Sequence, residues 1–461
     1  MASCLSPHFV IFPFMSKGHT IPLLHLTRLL SLRNIAVTIF TTQSNSPFIH
    51  HTLTGSNNIS VIELPFPEKI PDLPDGVENT DQLPSMSFFI PFAKATILLQ
   101  PHFERILETL LPVNCMISDG FLGWTLESAS KYGIPRLVSY GTNSYSMVVG
   151  RILREEYPNL NVDHIQEPLT LKSFPLIIID KNELVQEELL QVGHPIYEFA
   201  IQQSKATSNS WGILFNTFYE LESSYVNYWN SDYKPRAWCL GPLCLQADPP
   251  RVLQPFQKPL WMQWLDSRKG LEKQSVLYVA FGSQASVPPE QLKEIAIGLE
   301  RSKVSFLWVL RSKEMIFDDG LCERVKDTGL VVREWVDQTE VLEHECVQGF
   351  LSHCGWNSVL ESICALVPIL AWPMMAEQSF NAKMVEELGI GLRMQVTENT
   401  GARTLVKSEK VEKMVRKLML GDEGKEAKKK VKNIGESARR AMEEGGSSKG
   451  ALDLLIDEVC Q

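Results

Sequence analysis

The run Phe14-Met15-Ser16-Lys17-Gly18-His19 ends an apolar segment, and Ile21-Pro22 follows where proline suits the first turn of a helix. Gly18 and His19 therefore fall between a strand's carboxyl end and a helix N-terminus, where a doubly wound sheet presents its ligands. A neutral imidazole there suits a general base, since its unperturbed pKa of about 6.5 lies close to working pH. A capping or surface role fits the same position. Asp119 closes a second apolar run, Cys115-Met116-Ile117-Ser118. If the two strands adjoin, its carboxylate can hold the second ring nitrogen of His19, fixing the tautomer and stabilising the imidazolium formed on proton transfer. Read alone, Asp119 also suits the N-cap of a helix over 120–128.

A denser constellation is Phe350-Leu351-Ser352-His353-Cys354-Gly355-Trp356-Asn357-Ser358, with Glu361 three residues on. A strand passing through Gly355 into a helix at Trp356 aims backbone N–H groups and a positive dipole end at an anion, which is the physics of diphosphate binding. Asn357 and Ser358 add side-chain donors. Glu361, one turn in, can accept two vicinal hydroxyls of a ribose. A plain capped helix with a surface glutamate fits the stretch as well. Upstream, Phe281-Gly282-Ser283 repeats the strand-to-glycine pattern, with Ser283 as a further phosphate donor.

Other chemistries find no support. There is no G-x-x-x-x-G-K-[ST], and Gly389-Ile390-Gly391 lacks the third glycine of a dinucleotide fingerprint. Cys239 and Cys244 have no matching second pair, His344 with Cys346 reads as coincidence, and no Asp-x-Asp is present. A metal-independent reaction with no permanently bound cofactor is expected.

These residues need strands ending beneath them and helices starting beside them. Residues 9–14, 36–41, 61–64, 115–118 and 135–139 read as strands, and 22–32, 88–110 and 124–131 as helical. The pattern restarts with strands at 276–281, 306–310, 348–351 and 369–371 and a helix at 290–300. Alternation of this kind predicts an α/β protein of two facing Rossmann-like domains with parallel sheets and a cleft between them. Residues 225–258, rich in Pro, Asn and Asp, read as a linker. A last helix over 451–459 needs a partner surface for Leu452, Leu454, Leu455 and Val459. The expected division is 1–240, 241–440 and a C-terminal helical segment 441–461.

Composition narrows the partners. The chain has 461 residues, long enough for two cores, and 44% hydrophobic against 21% charged residues, which is globular rather than disordered usage. A net charge of −10 argues against a nucleic-acid partner. The one basic run, KEAKKKVK at 425–432, reads as a solvated helix face. Nine scattered cysteines suit reduced thiols and a cytoplasmic location rather than a disulfide framework. No run suits a signal peptide or a membrane span.

Residues 335–378 strongly resemble the signature box of plant secondary-product glycosyltransferases, through Trp335, Gln338, His344, His353 to Ser358, Glu361-Ser362, Pro368, Trp372-Pro373 and Glu377-Gln378. The resemblance extends through the His19 loop, Asp119, Asn216 to Glu222, Trp238 to Pro242 and Val279 to Ser283. It implies the GT-B fold and a final helix that crosses back to the first domain. It further implies that Trp335 stacks on uracil, with the Val336 backbone and Gln338 on base and ribose, and that Glu361 holds the ribose. His353, Asn357, Ser358 and Ser283 would hold the diphosphate, and Trp356, Glu377 and Gln378 the sugar. His19 becomes the base and Asp119 its partner in an inverting transfer. Gln378 points to UDP-glucose as donor, and Ser139 or Thr142 is the position that reaches the sugar's 6-hydroxyl. The sequence departs from the usual box at Asp337 and Glu345, where proline is common, and at Leu366, where glycine is common.

The acceptor pocket is expected in the first domain, with Met15, Phe88, Phe121 and Tyr145 as lining candidates, and suits a flavonoid or other phenol. Alternatives are another UDP-sugar, a terpenoid or carboxylate acceptor, attachment at carbon, and a non-catalytic UDP-sugar-binding protein. The expected partners are these small molecules alone, with the chain a monomer.

Overall fold

Short apolar runs, rich in β-branched residues, become strands, most of them covered on both faces, with the edge strand Ile59–Leu64 largely uncovered. In the first sheet these are β1 (His8–Phe12), β2 (Ala36–Thr42), β3 (Ile59–Leu64), β4 (Cys115–Asp119), β5 (Arg136–Ser139), β6 (Gly212–Phe215) and β7 (Arg236–Cys239), all paired parallel in the order β3-β2-β1-β4-β5-β6-β7. The second sheet comprises β8 (Val276–Ala280), β9 (Ser305–Val309), β10 (Gly329–Val332), β11 (Val347–Ser352), β12 (Ile369–Ala371) and β13 (Gly391–Arg393), parallel in the order β10-β9-β8-β11-β12-β13. The computed structural model describes residues 6–55, 58–184, 187–246, 258–269, 275–285, 287–310, 320–395, 398–399 and 402–461.

Both sheets reverse their winding at one point, between β1 and β4 in the first and between β8 and β11 in the second. The strand ends there lie level: Phe12 pairs with Ser118, and Ala280 with Ser352. Ligands of doubly wound sheets bind at such crevices.

Three local expectations are corrected. The first helix is Lys17–Ser31, so Pro22 lies inside it rather than at its start. The stretch 88–110 is segmented into helices Phe89–Ala95 and Gln100–Leu110 with a 3-10 turn, Thr96–Leu99, between them. The segment 225–258 is not a linker throughout: Tyr219–Asp232 is helical, Val226 and Trp229 are buried, and β7 completes the first sheet. The Pro-rich part of that segment, 247–257, lies outside the described residues.

The chain ends in two long helices. Asp422–Met442 packs Val431, Ala438 and Ala441 against Val359, Leu360 and Ile363 of the second domain, and carries the basic run largely on its outer face. Ser447–Cys460 lies on the first domain, where Leu452, Leu455 and Val459 pack with Leu26, Leu30, Trp238 and Leu240. Leu454 stays 46% exposed, so only three of the four apolar residues expected to need cover find it. Arg33 reaches Asp453 at 2.7 Å, and Arg236 reaches Glu458 at 3.0 Å. Among the described residues, no helix is long and apolar enough to cross a membrane.

Candidate active site

The two switch points face each other across a cleft of about 2510 Å³, ample for a nucleotide and a second molecule together. On the first domain, His19 stands in the opening turn of Lys17–Ser31, directly after β1, and Asp119 ends the neighbouring β4. His19 Nδ1 and Asp119 Oδ2 are 2.6 Å apart, while Asp119 Oδ1 accepts from the Phe121 N–H at 2.9 Å. An ionised carboxylate so placed selects the tautomer with the proton on Nδ1 and leaves Nε2 basic. Burial alone would lower the His19 pKa, but attraction to Asp119, the hydrogen bond and the Glu377 charge outweigh it, and the pKa is raised. Behind Asp119, the buried Arg136 guanidinium is fixed by Ser118, Thr125 and Ser210 and donates to the Asp119 carbonyl at 3.4 Å.

Opposite, β11 runs into the Trp356–Cys364 helix through Cys354, which takes a left-handed φ of 64°, and Gly355. His353 wedges between Gly282 and Gly355, where any Cβ would stand 2.6 Å from its Nε2; Gly282 also has φ +77°. Glycine at both points follows from sterics. Gln338 Nε2 donates to Ser358 Oγ at 2.8 Å and Glu361 Oε2 at 2.5 Å, tying these three side chains together. Burial pushes the Glu361 carboxyl up to about 7, with Gln338 opposing and Asp337 adding to the shift. Asp337 itself caps helix Gln338–Leu342, its Oδ1 accepting from the Glu340 N–H at 3.2 Å, which explains why an acid serves where proline is common. Gln378 commits its carbonyl to the Met374 and Met375 N–H groups at 2.9 and 3.0 Å, leaving its amide N–H to the cleft.

Gly18, Ser283, Trp335, Val336, Gln338, His353, Gly355, Trp356, Asn357, Ser358, Glu361, Glu377 and Gln378 all line this cleft together with His19. Two have duties the sequence did not suggest. The Trp356 indole is buried and donates to the Asn216 carbonyl at 2.7 Å, so its side chain is committed to the first domain. Asn357 Nδ2 donates to the Gly18 carbonyl at 2.7 Å, bridging the domains.

Of the four residues expected around an acceptor, only Phe121 lies on the wall, 5.0 Å from the His19 ring. Met15 is buried among Phe12, Phe14 and Phe92, and Tyr145 among Tyr225 and Phe380, both too deep to reach the cleft. Phe88 is displaced from the wall by the next turn, which presents Phe89 and Ile90 instead. Thr142 lines the cleft and Ser139 does not. Asp119 sits behind His19 rather than on the wall.

Residues 8–245 match the family described as Glycosyltransferase, N-terminal domain, and residues 254–427 match UDP-glucoronosyl and UDP-glucosyl transferase. UDP-glycosyltransferase 90A1 of Arabidopsis thaliana is 50% identical, over 98% of this chain and 96% of that one. The chain belongs to the plant UDP-glycosyltransferase family. UDP-glucose flavonoid 3-O-glucosyltransferase 7 of Fragaria ananassa is 34% identical, over 99% and 97% of the two chains. The Phytolacca americana UGT2 structure, complexed with UDP-2fluoro-glucose and pterostilbene, superposes with a TM-score of 0.83 at 29% identity, covering 99% of this chain and 100% of that one. The protein is thus a glycosyltransferase enzyme with the GT-B arrangement.

Several contacts that hold this glycosyltransferase's domains together had no local sequence signal. Gln284 Nε2 donates to Ser16 Oγ at 2.8 Å and to Thr80 Oγ1 at 2.6 Å. Asn143 donates to Asn381 at 2.9 Å. Buried Glu183, at the end of the 3-10 turn Lys181–Glu183 of the first domain, pairs with Lys383 and Arg393 of the second, each at 2.9 Å. Lys17 Nζ sits 3.3 Å from the Phe48 ring centroid and 5.1 Å from that of Trp335, whose indole is half exposed.

Proposed function

We propose that this glycosyltransferase moves glucose from UDP-glucose to the hydroxyl of a small phenol, flavonoids included, with inversion and without a metal ion. The observation that carries the reading is the His19–Asp119 pair facing, across one cleft, the N-terminus of the Trp356–Cys364 helix. His19 Nε2 takes the acceptor's O–H proton while Nδ1–H stays on Asp119; the oxygen forms its bond to the anomeric carbon as the bond to UDP breaks on the opposite face. Leaving-group charge falls on helix N–H groups, Ser358, Ser283 and His353, which serve in place of a cation. Half-exposed Trp335 offers uracil a face to stack on, and Glu361 accepts from the ribose.

Several observations support a phenol. Phe14, Phe89, Phe121 and Phe199 form the acceptor wall beside His19, and planar aromatics suit such edges and faces. A phenol's low pKa also makes one imidazole a sufficient base. The Fragaria relative, a flavonoid 3-O-glucosyltransferase by name, and the pterostilbene-bound Phytolacca structure point the same way. The test is UDP release from UDP-glucose with a panel of phenols, terpenoid alcohols and acids, His19→Ala run alongside, and the anomeric configuration of the product read by NMR. Turnover with phenols that collapses in the variant and yields the β-glucoside is expected. A protein that binds UDP-glucose yet turns over no acceptor would overturn the reading.

A further inference from the structure

Beyond the aromatic wall, the acceptor chamber has a charged end. The Ser144–Glu156 helix turns Met147, Gly150, Arg151 and Arg154 to it, spaced three and four apart on one face. The two arginines are in different states. Arg151 Nε donates to Glu155 Oε1 at 3.0 Å, and its guanidinium lies 4.0 Å from the Tyr233 ring centroid. The other oxygen of Glu155 takes the Tyr233 hydroxyl at 3.0 Å. Arg154 is partly buried on the chamber wall, and among the described residues it makes no hydrogen bond and no ion pair. Burial draws its pKa down, Arg151 adds to that, and Tyr140, Glu155 and Tyr197 oppose it. A desolvated guanidinium without a hydrogen-bonded counter-ion favours an anion, above all a carboxylate that matches its fork.

The direction of the side chain matters as much as its charge. Helical side chains lean toward the helix N-terminus. Arg154 does so over Gly150: its Nη1 is 3.4 Å from where a Cβ on that glycine would stand. The guanidinium therefore points back along the chamber toward Tyr140 and Gly141, which adjoin Phe121 and His19. Tyr140, hydrogen-bonded to Thr207 at 2.8 Å, Gln203, whose Oε1 accepts from the Gly123 N–H at 2.9 Å, and Ser204 line the same wall and give it a polar character. Lys94 adds a third positive charge to the chamber, beside Arg151 and Arg154; Glu188 lies exposed on its wall and forms no ion pair with Arg154.

We infer that Arg154 binds an anionic group of the acceptor, so that the preferred substrate is a hydroxyaryl carboxylate with its hydroxyl at His19 and its carboxylate on the guanidinium. The inference rests on the phenol-glucosylating reading of His19. Wild type, Arg154→Gln and Arg154→Lys are assayed with hydroxyaryl acids of graded length, each beside its neutral methyl ester. The expected result is a preference for acid over ester in kcat/KM. That ratio falls about 10- to 100-fold in Arg154→Gln, the worth of a charge-assisted hydrogen bond, and is partly kept in Arg154→Lys. Esters used as well as acids by wild type, or a ratio unmoved by Arg154→Gln, overturns the inference while leaving phenol glucosylation standing. If no acceptor turns over, equilibrium binding of aryl carboxylates lacking the hydroxyl to the UDP-loaded protein decides the matter. Tighter binding than the esters, lost in Arg154→Gln, upholds the anion site even where the proposed reaction fails; equal binding sinks it.

Discussion

Asn357 Nδ2 donates to the carbonyl oxygen of Gly18 across 339 residues of sequence, and that oxygen is available because Pro22, four residues on, has no N–H to occupy it. The helix irregularity on one domain thus creates the acceptor that the Trp356–Cys364 helix of the other domain uses, one residue from His19.

Loss of this bridge should be measurable. Asn357→Ala is expected to lower kcat/KM about 3- to 10-fold from the bond alone, on the basis of roughly 0.5–1.5 kcal/mol per hydrogen bond. Pro22→Ala restores a competing N–H, so the two substitutions should be non-additive in a double-mutant cycle read on kcat/KM. Strict additivity would dissociate Pro22 from the bridge.

The pH profile of the reaction should report the dyad. His19 must be neutral to accept a proton, and its pKa is raised by Asp119 against the effect of burial. Activity is therefore lost as pH falls through that raised value. In Asp119→Asn the attraction is gone and burial remains, so the acid limb moves to lower pH while kcat drops about 10²- to 10⁴-fold. An acid limb that stays in place would mean another group controls it.

Glu361 should make donor affinity pH-dependent. Its carboxyl titrates near 7 in the unliganded protein, and only the ionised form accepts from two ribose hydroxyls. The KM for UDP-glucose should rise as pH falls below about 7, and Glu361→Gln should flatten that dependence at a uniformly higher KM. For folding the sign is opposite. A carboxyl raised above its unfolded value makes no such demand while protonated, and it destabilises the fold as pH rises through 7.

Buried Glu183 should govern how the domains unfold. Glu183→Ala leaves Lys383 and Arg393 without their shared counter-ion in a largely buried setting, a loss of about 3–5 kcal/mol for pairs of this kind. Urea denaturation followed by tryptophan fluorescence should show a lower midpoint. A loss under 1 kcal/mol would show that water reaches the cations freely.

The sequence revealed what is local and concealed what is not. His19, Asp119 and the 353–358 run were legible because each closes an apolar strand, and strand ends of doubly wound sheets carry ligands. Their meeting depended on β1 and β4 being neighbours, which strand alternation permits without specifying. Pro22 misled about the helix start because its first-turn preference is only a preference, overridden here by Ser16 to Thr20 closing a turn ahead of it. Phe48, Phe199, Gln284 and Glu183 had no signal at all; their roles exist only once distant segments are folded together. Met15 and Tyr145 failed as acceptor candidates because an apolar residue near a strand end packs inward as readily as it faces a cleft. Leu366 stands where glycine is usual and takes the left-handed φ of 61° that glycine would supply. A departure visible in the sequence thus became a backbone statement only in the structure.

The Ser447–Cys460 helix has a consequence for how the protein is made. Its leucines cover the outer side of Lys17–Ser31, the helix that bears His19. Chains emerge from the ribosome N-terminus first, and early domains begin folding at once. Here the Lys17–Ser31 helix keeps an apolar flank open until residues 447–460 have been made. A chain cut short before Ser447 would leave Leu26, Leu29 and Leu30 without the cover that Leu452 and Leu455 give them, an apolar surface that the folded enzyme keeps closed.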